Sequence, residues 1–148
     1  MATIGNTAQV ATAVENRETE LGFVEAANHS EQLTSTTVAR DQIVVVAAPD
    51  HQLVKRKPIA LKDLMEAEWV LRERGSGTRA VFEGALAELG LKAALRIALE
   101  LPSNEAVRSA AEAGLGAAVI SASVAAPALK LAFCSRSTFA CPNVSSMY

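Results

Sequence analysis

"EWVLRERGSGTRAVFEGALAELG", Glu68 to Gly90, joins an apolar strand, a glycine-rich turn and an amphipathic helix in one run. In the helical half Val81, Phe82, Ala85, Leu86 and Leu89 fall on one stripe, and Arg79, Glu83 and Glu88 fall off it. Gly90 stands where a helix end favours a residue that tolerates a left-handed backbone. A strand followed closely by a helix that packs back by one face is the building unit of an α/β domain.

The same rhythm extends to both sides. Upstream, "DQIVVVAAP" (Asp41 to Pro49) is a nearly continuous apolar run ended by proline, the pattern of a strand buried on both faces, and a short helix is expected near Leu61 to Glu66. Downstream, "LRIALEL", a helix from about Asn104 to Ala113 and "GAAVIS" repeat strand, helix, strand. At the N-terminus Asn6 or Thr7 caps a helix running to about Arg17, with Gln9 at the reciprocal position, and "ELGFVEA" (Glu20 to Ala26) suits a short strand. The whole predicts an α/β fold with a mostly parallel sheet and a crevice at the carboxyl ends of its strands.

The loop "RERGSGTR" decides what such a crevice would hold. Backbone N–H groups left unpaired at a helix N-terminus, with guanidinium groups nearby, suit a carboxylate, sulfate or phosphate. A phosphate-binding Walker loop would need a Gly-Lys-Ser/Thr end, and a dinucleotide fingerprint a third glycine where Ala80 stands, so neither motif is complete. The Gly-Ser-Gly turn forms a compact nest: Ser76 and Thr78 offer donors, and Arg72 or Arg79 adds charge. The plainer reading is a helix cap with surface arginines. Two further polar helix starts, Asn6 and Thr7 in "IGNTAQV" and Ser103 and Asn104 in "LPSNEAVRSAAEAG", could face the same crevice.

Composition narrows the function. The chain has 148 residues, half of them hydrophobic, enough to bury a core, while 14 basic against 16 acidic residues leave no surplus with which to grip nucleic acid. No stretch is long and charge-free enough to span a bilayer and no leader pattern opens the chain, so a cytoplasmic location and no membrane contact are expected. His29 and His51 sit in turn-like polar segments without an adjacent nucleophile, and neither a Ser-His-Asp nor a paired-carboxylate arrangement emerges. Lys55 to Lys57 is too short for a nucleic-acid patch, and Trp69 reads as core. Cys134 and Cys141 are too widely spaced for a redox pair and lack zinc-ligating histidines, so no catalytic residues, metal or cofactor are expected.

Taken in order, "IGNTAQVATAVENRETELGFVEA", "ARDQIVVVAAPDHQL", "WVLRERGSGTRAVFEGAL" and "LELPSNEAVRSAAEAGLGAAVIS" resemble the effector-binding domain of LysR-type bacterial transcriptional regulators, from about Ile4 to Lys130. The resemblance implies a fold like type-2 periplasmic binding proteins, two α/β lobes joined by crossover strands with an inducer between them. For this chain the resemblance implies one complete and one partial lobe. It places a first-lobe remnant at 1–40, the second lobe at 41–129 with Val38 to Val46 as first crossover, and a divergent tail at 130–148. It also implies effector contacts at Asn6, Thr7, Glu25, Ser76, Gly77, Thr78, Arg79, Ser103 and Asn104.

The winged helix-turn-helix, the linker helix and the first strand and helix of the first lobe find no counterpart. "LAFCSRSTFACPNVSSMY" matches no family element, as a frame change or fusion near Lys130 would explain. The expected function is sensing of a small anionic effector, such as a carboxylate, by a module that forms a homodimer or pairs with a full-length regulator and makes no direct nucleic-acid contact. An interaction protein that dimerises without binding effector is the alternative. An enzyme acting on a phosphorylated substrate would need an acid-base constellation, and a transporter's solute-binding protein an export signal.

Overall fold

Ile43, Val45 and Ala47 pack toward one side of a sheet and Val46 toward the other, the two-sided burial that an uninterrupted apolar run dictates. This strand is β2 (Ile43–Ala47) in a computed structural model that describes residues 2–25, 30–56, 58–91 and 95–125, and the backbone of 132–135 and 144–145. His29, Lys57, Lys130 and Cys141 lie outside the described residues.

The elements follow as α1 (Thr7–Glu15), β1 (Arg40–Asp41), β2, α2 (Gln52–Lys55), α3 (Leu61–Glu66), β3 (Glu68–Arg72), α4 (Gly77–Glu88), β4 (Arg96–Leu101), α5 (Asn104–Glu112), β5 (Ala117–Ser121), α6 (Ala122–Ala125), β6 (Ala132–Ser135) and β7 (Val144–Ser145). Five strands make one sheet in the order β4-β3-β5-β2-β6, and β1 pairs with β7. Strands β4, β3 and β5 are mutually parallel, but β2 runs antiparallel to β5 and to β6, so the sheet is mixed and not mostly parallel. The alternation of strands and helices leaves strand direction open: helices separate β2 from β3 and β5 in sequence, yet β2 enters the sheet beside β5 in the opposite direction. Within residues 130–148, β6 joins this sheet beside β2.

Alternate residues of each central strand feed two cores. Trp69, Leu71 and Val119 meet Phe82 and Leu86 of α4 on one face, and Val70, Ala118 and Ile120 meet Val107, Ala110 and Ala111 of α5 on the other. Trp69 is core as expected: its ring lies 4.8 Å from Phe82 and its indole N–H donates to the Leu64 carbonyl at 2.8 Å. Gly116 lets β5 approach β3, since a Cβ there would sit 2.8 Å from the Glu68 carbonyl oxygen.

Two N-terminal expectations need correction. Helix α1 stops at Glu15, because Arg17 takes a left-handed φ of 60° and Glu18 N–H returns to the Ala13 carbonyl. Residues 20–25 form no strand. None of the strand pairings among the described residues involves them; Phe23 is 62% exposed while Val24 packs inward.

Candidate functional site

Parallel pairing of β3 with β4 puts Arg72 beside Leu101, so the loops that leave both strands emerge side by side. Glu73 N–H donates to the Leu101 carbonyl at 3.2 Å and fastens them. Helices α4 and α5 therefore begin next to each other at the carboxyl ends of their strands. Gly75, at φ 94°, turns the first loop and lets α1 approach: a Cβ there would lie 3.2 Å from Ala8 Cβ and 3.3 Å from the Asn6 amide. Ala8 N–H donates to the Gly75 carbonyl at 3.2 Å, which brings the third helix start to the same place.

The three starts are capped differently. Asn6 and Gln9 form a reciprocal capping box on α1, with bonds of 2.9 and 3.0 Å. Ser103 Oγ accepts from Ala106 N–H at 3.1 Å on α5. Ser76 precedes α4 but makes no side-chain cap bond, although the residue is only 3% exposed. Its hydroxyl and the first amides of α4 have no partner among the described residues.

Between these helix starts lies a cleft of about 490 Å³. Asn6, Thr7, Glu25, Ser76, Gly77, Ser103 and Asn104, seven of the nine residues expected at the site, line it together with Arg72, Glu73 and Glu105. Thr78 and Arg79 do not. Thr78 turns behind the loop, where its hydroxyl donates to Glu25 Oε2 at 3.3 Å. Arg79, expected on the polar side of its helix, is 3% exposed: Nε pairs with Glu83 at 2.8 Å, and Nη1 reaches Glu100 at 2.6 Å and the Arg72 carbonyl at 2.9 Å. Burial opposes its charge, but the bonds to Glu83 and Glu100 prevail and raise its pKa.

Arg72 is the guanidinium that faces the cleft, and it is already engaged. Nε and Nη2 hold Glu73 at 2.9 and 3.1 Å, while Nη1 donates to Asn104 Oδ1 at 2.7 Å. Glu73 Oε1 also accepts from Asn6 Nδ2 at 3.0 Å. The Arg72 bonds, against partial burial and with help from Asn6, hold the Glu73 carboxyl below its ordinary 4.5. One chain of hydrogen bonds thus runs from the cap of α1 through Glu73 and Arg72 to the first turn of α5. Glu73, Arg72 and Asn104 gave no joint signal in the sequence, since the parallel register that aligns them is a tertiary fact.

The remaining candidates lie elsewhere. His51 is the N-cap of α2, its Nδ1 accepting from Leu53 N–H at 3.2 Å. Among the described residues no group of three His, Cys, Asp or Glu side chains is arranged to hold a metal, and no helix is long and apolar enough to cross a membrane.

The sequence profile described as the LysR substrate binding domain matches residues 2–133. The chain belongs to this LysR family. Its similarity to the HTH-type transcriptional regulator YeiE of Escherichia coli K12 is 38% identity over 118 residues, 80% of this chain and 39% of YeiE. The LysR chain described here therefore spans well under half the length of that relative. Its fold is that of the effector-binding domain of QuiR in complex with shikimate, with a TM-score of 0.78 at 17% identity, covering 97% of this chain and 68% of that one. The regulatory domain of Synechocystis PCC6803 CcmR in complex with 2-PG also gives 0.78, at 24% identity over 96% of this chain and 68% of that one. YeiE is thus a transcriptional regulator by name, and the two structural neighbours are effector-binding and regulatory domains.

Proposed function

We propose that this chain is the small-molecule-sensing module of a LysR-type regulator and that its effector binds in the cleft where α1, α4 and α5 begin. The observation that carries this is the convergence of three helix N-termini on one cleft, with the Ser76 hydroxyl and the first amides of α4 left without partners. Unpaired N–H groups and the positive end of each helix dipole favour an anionic group such as a carboxylate. Asn6, Thr7, Glu25, Ser76, Gly77, Ser103 and Asn104 are the contacts in this reading, with Thr78 and Arg79 holding the loop from behind.

Residues 1–40 act as the partial first lobe, 41–129 as the second and 130–148 as a tail whose first strand extends the sheet. Asn6–Glu73, Ala8–Gly75 and Glu25–Thr78 tie the N-terminal segment to the loop and helix that follow β3, so an occupant of the cleft that strengthens or breaks these bonds changes how the N-terminal segment sits on the sheet. That movement is the signal. DNA contact belongs to other parts of a complete cytoplasmic regulator.

A second reading, pairing with another copy or a full-length regulator without sensing, is favoured by the exposure of Ile4, Leu21 and Phe23 near the cleft and of Ile97 and Leu99 on edge strand β4. Thermal stabilisation by a panel of small carboxylates, sulfate and phosphate separates the two. A true effector at a hundred times its dissociation constant adds about 2.7 kcal/mol of stability, and Asn104→Ala diminishes the effect. A folded chain that no compound stabilises, yet which co-purifies with a full-length relative, supports the second reading.

A further inference from the structure

Resting on the cleft being the effector site, we infer that its ligand is a monocarboxylate that also carries hydrogen-bond donors, hydroxyl or ammonium groups, at the end away from the carboxylate. The anion's place is marked by two independent features: the uncapped N-terminus of α4 and the Ser76 hydroxyl, 3% exposed as a residue, lining the cleft and bonded to nothing among the described residues. The starts of α1 and α5 are capped by Asn6 and Ser103, so one helix start among the three has its amides free for an anionic group.

Among the charged residues of the lining, acid outnumbers base. Glu25, Glu73 and Glu105 contribute three carboxylates against the single guanidinium of Arg72, whose charge is already matched by Glu73 in a two-point contact. Arg79 brings no relief, since it lies outside the cleft and is bound to Glu83 and Glu100. Glu25 has one carboxylate oxygen bonded to Thr78, and Glu105 accepts no side-chain bond among the described residues.

A sphere of the cleft's volume is roughly 10 Å across, close to the screening length of physiological salt. A second anionic group on the ligand would therefore feel Glu25 and Glu105, whereas hydroxyl or ammonium donors would satisfy their empty acceptor sites. The acceptors select against phosphate, sulfate and dicarboxylates and in favour of donor-bearing monocarboxylates.

The test uses the full chain at physiological salt and two ligand series that vary only at the distal group. One is butyrate, 4-hydroxybutyrate, 4-aminobutyrate and succinate. The other is cyclohexanecarboxylate with hydrogen, hydroxyl, aminomethyl or carboxylate at the 4-position. Calorimetric titration should show the hydroxyl or amino member binding at least about tenfold more tightly than the unsubstituted and dianionic members, the low end for hydrogen bonds to a charged group. Glu25→Met/Glu105→Met, which removes both acceptors, should erase that preference in a chain that urea titration shows to be folded, and which of the two members wins separates hydroxyl from ammonium. Tightest binding by a dicarboxylate, phosphate or sulfate, or a preference that survives the double variant, overturns the inference and leaves the sensing function intact. If the folded chain binds no compound of either series or the anion panel, the sensing function itself falls, and this inference with it.

Discussion

Ser76→Ala discriminates a ligand hydroxyl from a helix cap. In the free chain the hydroxyl makes no cap bond and no other side-chain bond among the described residues, so its removal should change folding stability by less than about 0.5 kcal/mol. A working N-cap would instead cost about 1 kcal/mol when replaced by alanine. In the complex the same hydroxyl donates to a charged group, an interaction of about 1.5 to 3 kcal/mol, so affinity should fall by about 30-fold. At a ligand concentration that stabilises the native chain by about 2.7 kcal/mol, the variant would then gain only about 0.9 kcal/mol. For a domain of this size that is a thermal shift of roughly 2 to 4 °C instead of about 5 to 11 °C. Urea midpoints without ligand and melting curves with the best-stabilising carboxylate measure both effects. A loss of 1 kcal/mol or more without ligand, together with an undiminished ligand shift, refutes the reasoning and returns Ser76 to an ordinary cap.

Arg79→Met should cost about 1 to 3 kcal/mol in urea unfolding, because the Arg72 carbonyl is stranded while half-exposed Glu83 and Glu100 regain water, and ligand affinity should stay within about threefold. An affinity loss as large as that of Ser76→Ala would put Arg79 back in the binding site. Burial, opposed by Asp50 and Glu68, pushes the His51 imidazole below its usual 6.5, so the unfolded chain takes up the proton first and stability is lost as pH falls below 6.5. His51→Asn keeps a good N-cap and should flatten that part of the pH profile; an unchanged slope removes His51 as its source. Glu73, with its pKa lowered chiefly by Arg72, contributes stability above its ordinary 4.5 that is lost as pH falls through the lowered value. In Glu73→Gln the decline in the urea midpoint between about pH 5 and 3 should be shallower than in the native chain, and an equal decline assigns the acid sensitivity to other carboxylates.

Much of this was legible because local chemistry and tertiary placement agree. Trp69, Leu71, Phe82 and Leu86 follow strand and helix periods, and they meet where those periods point. Asn6 with Gln9, Ser103 and Gly90 declare helix ends that the structure keeps. Strand direction was less legible, since the run that makes β2 reads the same whether its neighbour is parallel or antiparallel. A short apolar segment such as "GFV" implies a strand only if an edge is available to pair with it.

At the site, polar helix starts pointed to the cleft. The fate of the charges was hidden, because Arg79 finds Glu100 across 21 positions and Arg72 finds Asn104 across 32. Pairings of that separation depend on sheet register, which no local pattern encodes. The acidic character of the cleft became visible only when Glu25, Glu73 and Glu105 were brought together.

The most direct test of the central claim is a titration of the isotope-labelled chain with the best-stabilising monocarboxylate, following backbone amide resonances. The account predicts that Thr7, Gly77, Thr78 and Asn104 shift together along one saturable curve. Saturable binding that leaves these four amides unmoved while others shift would contradict it.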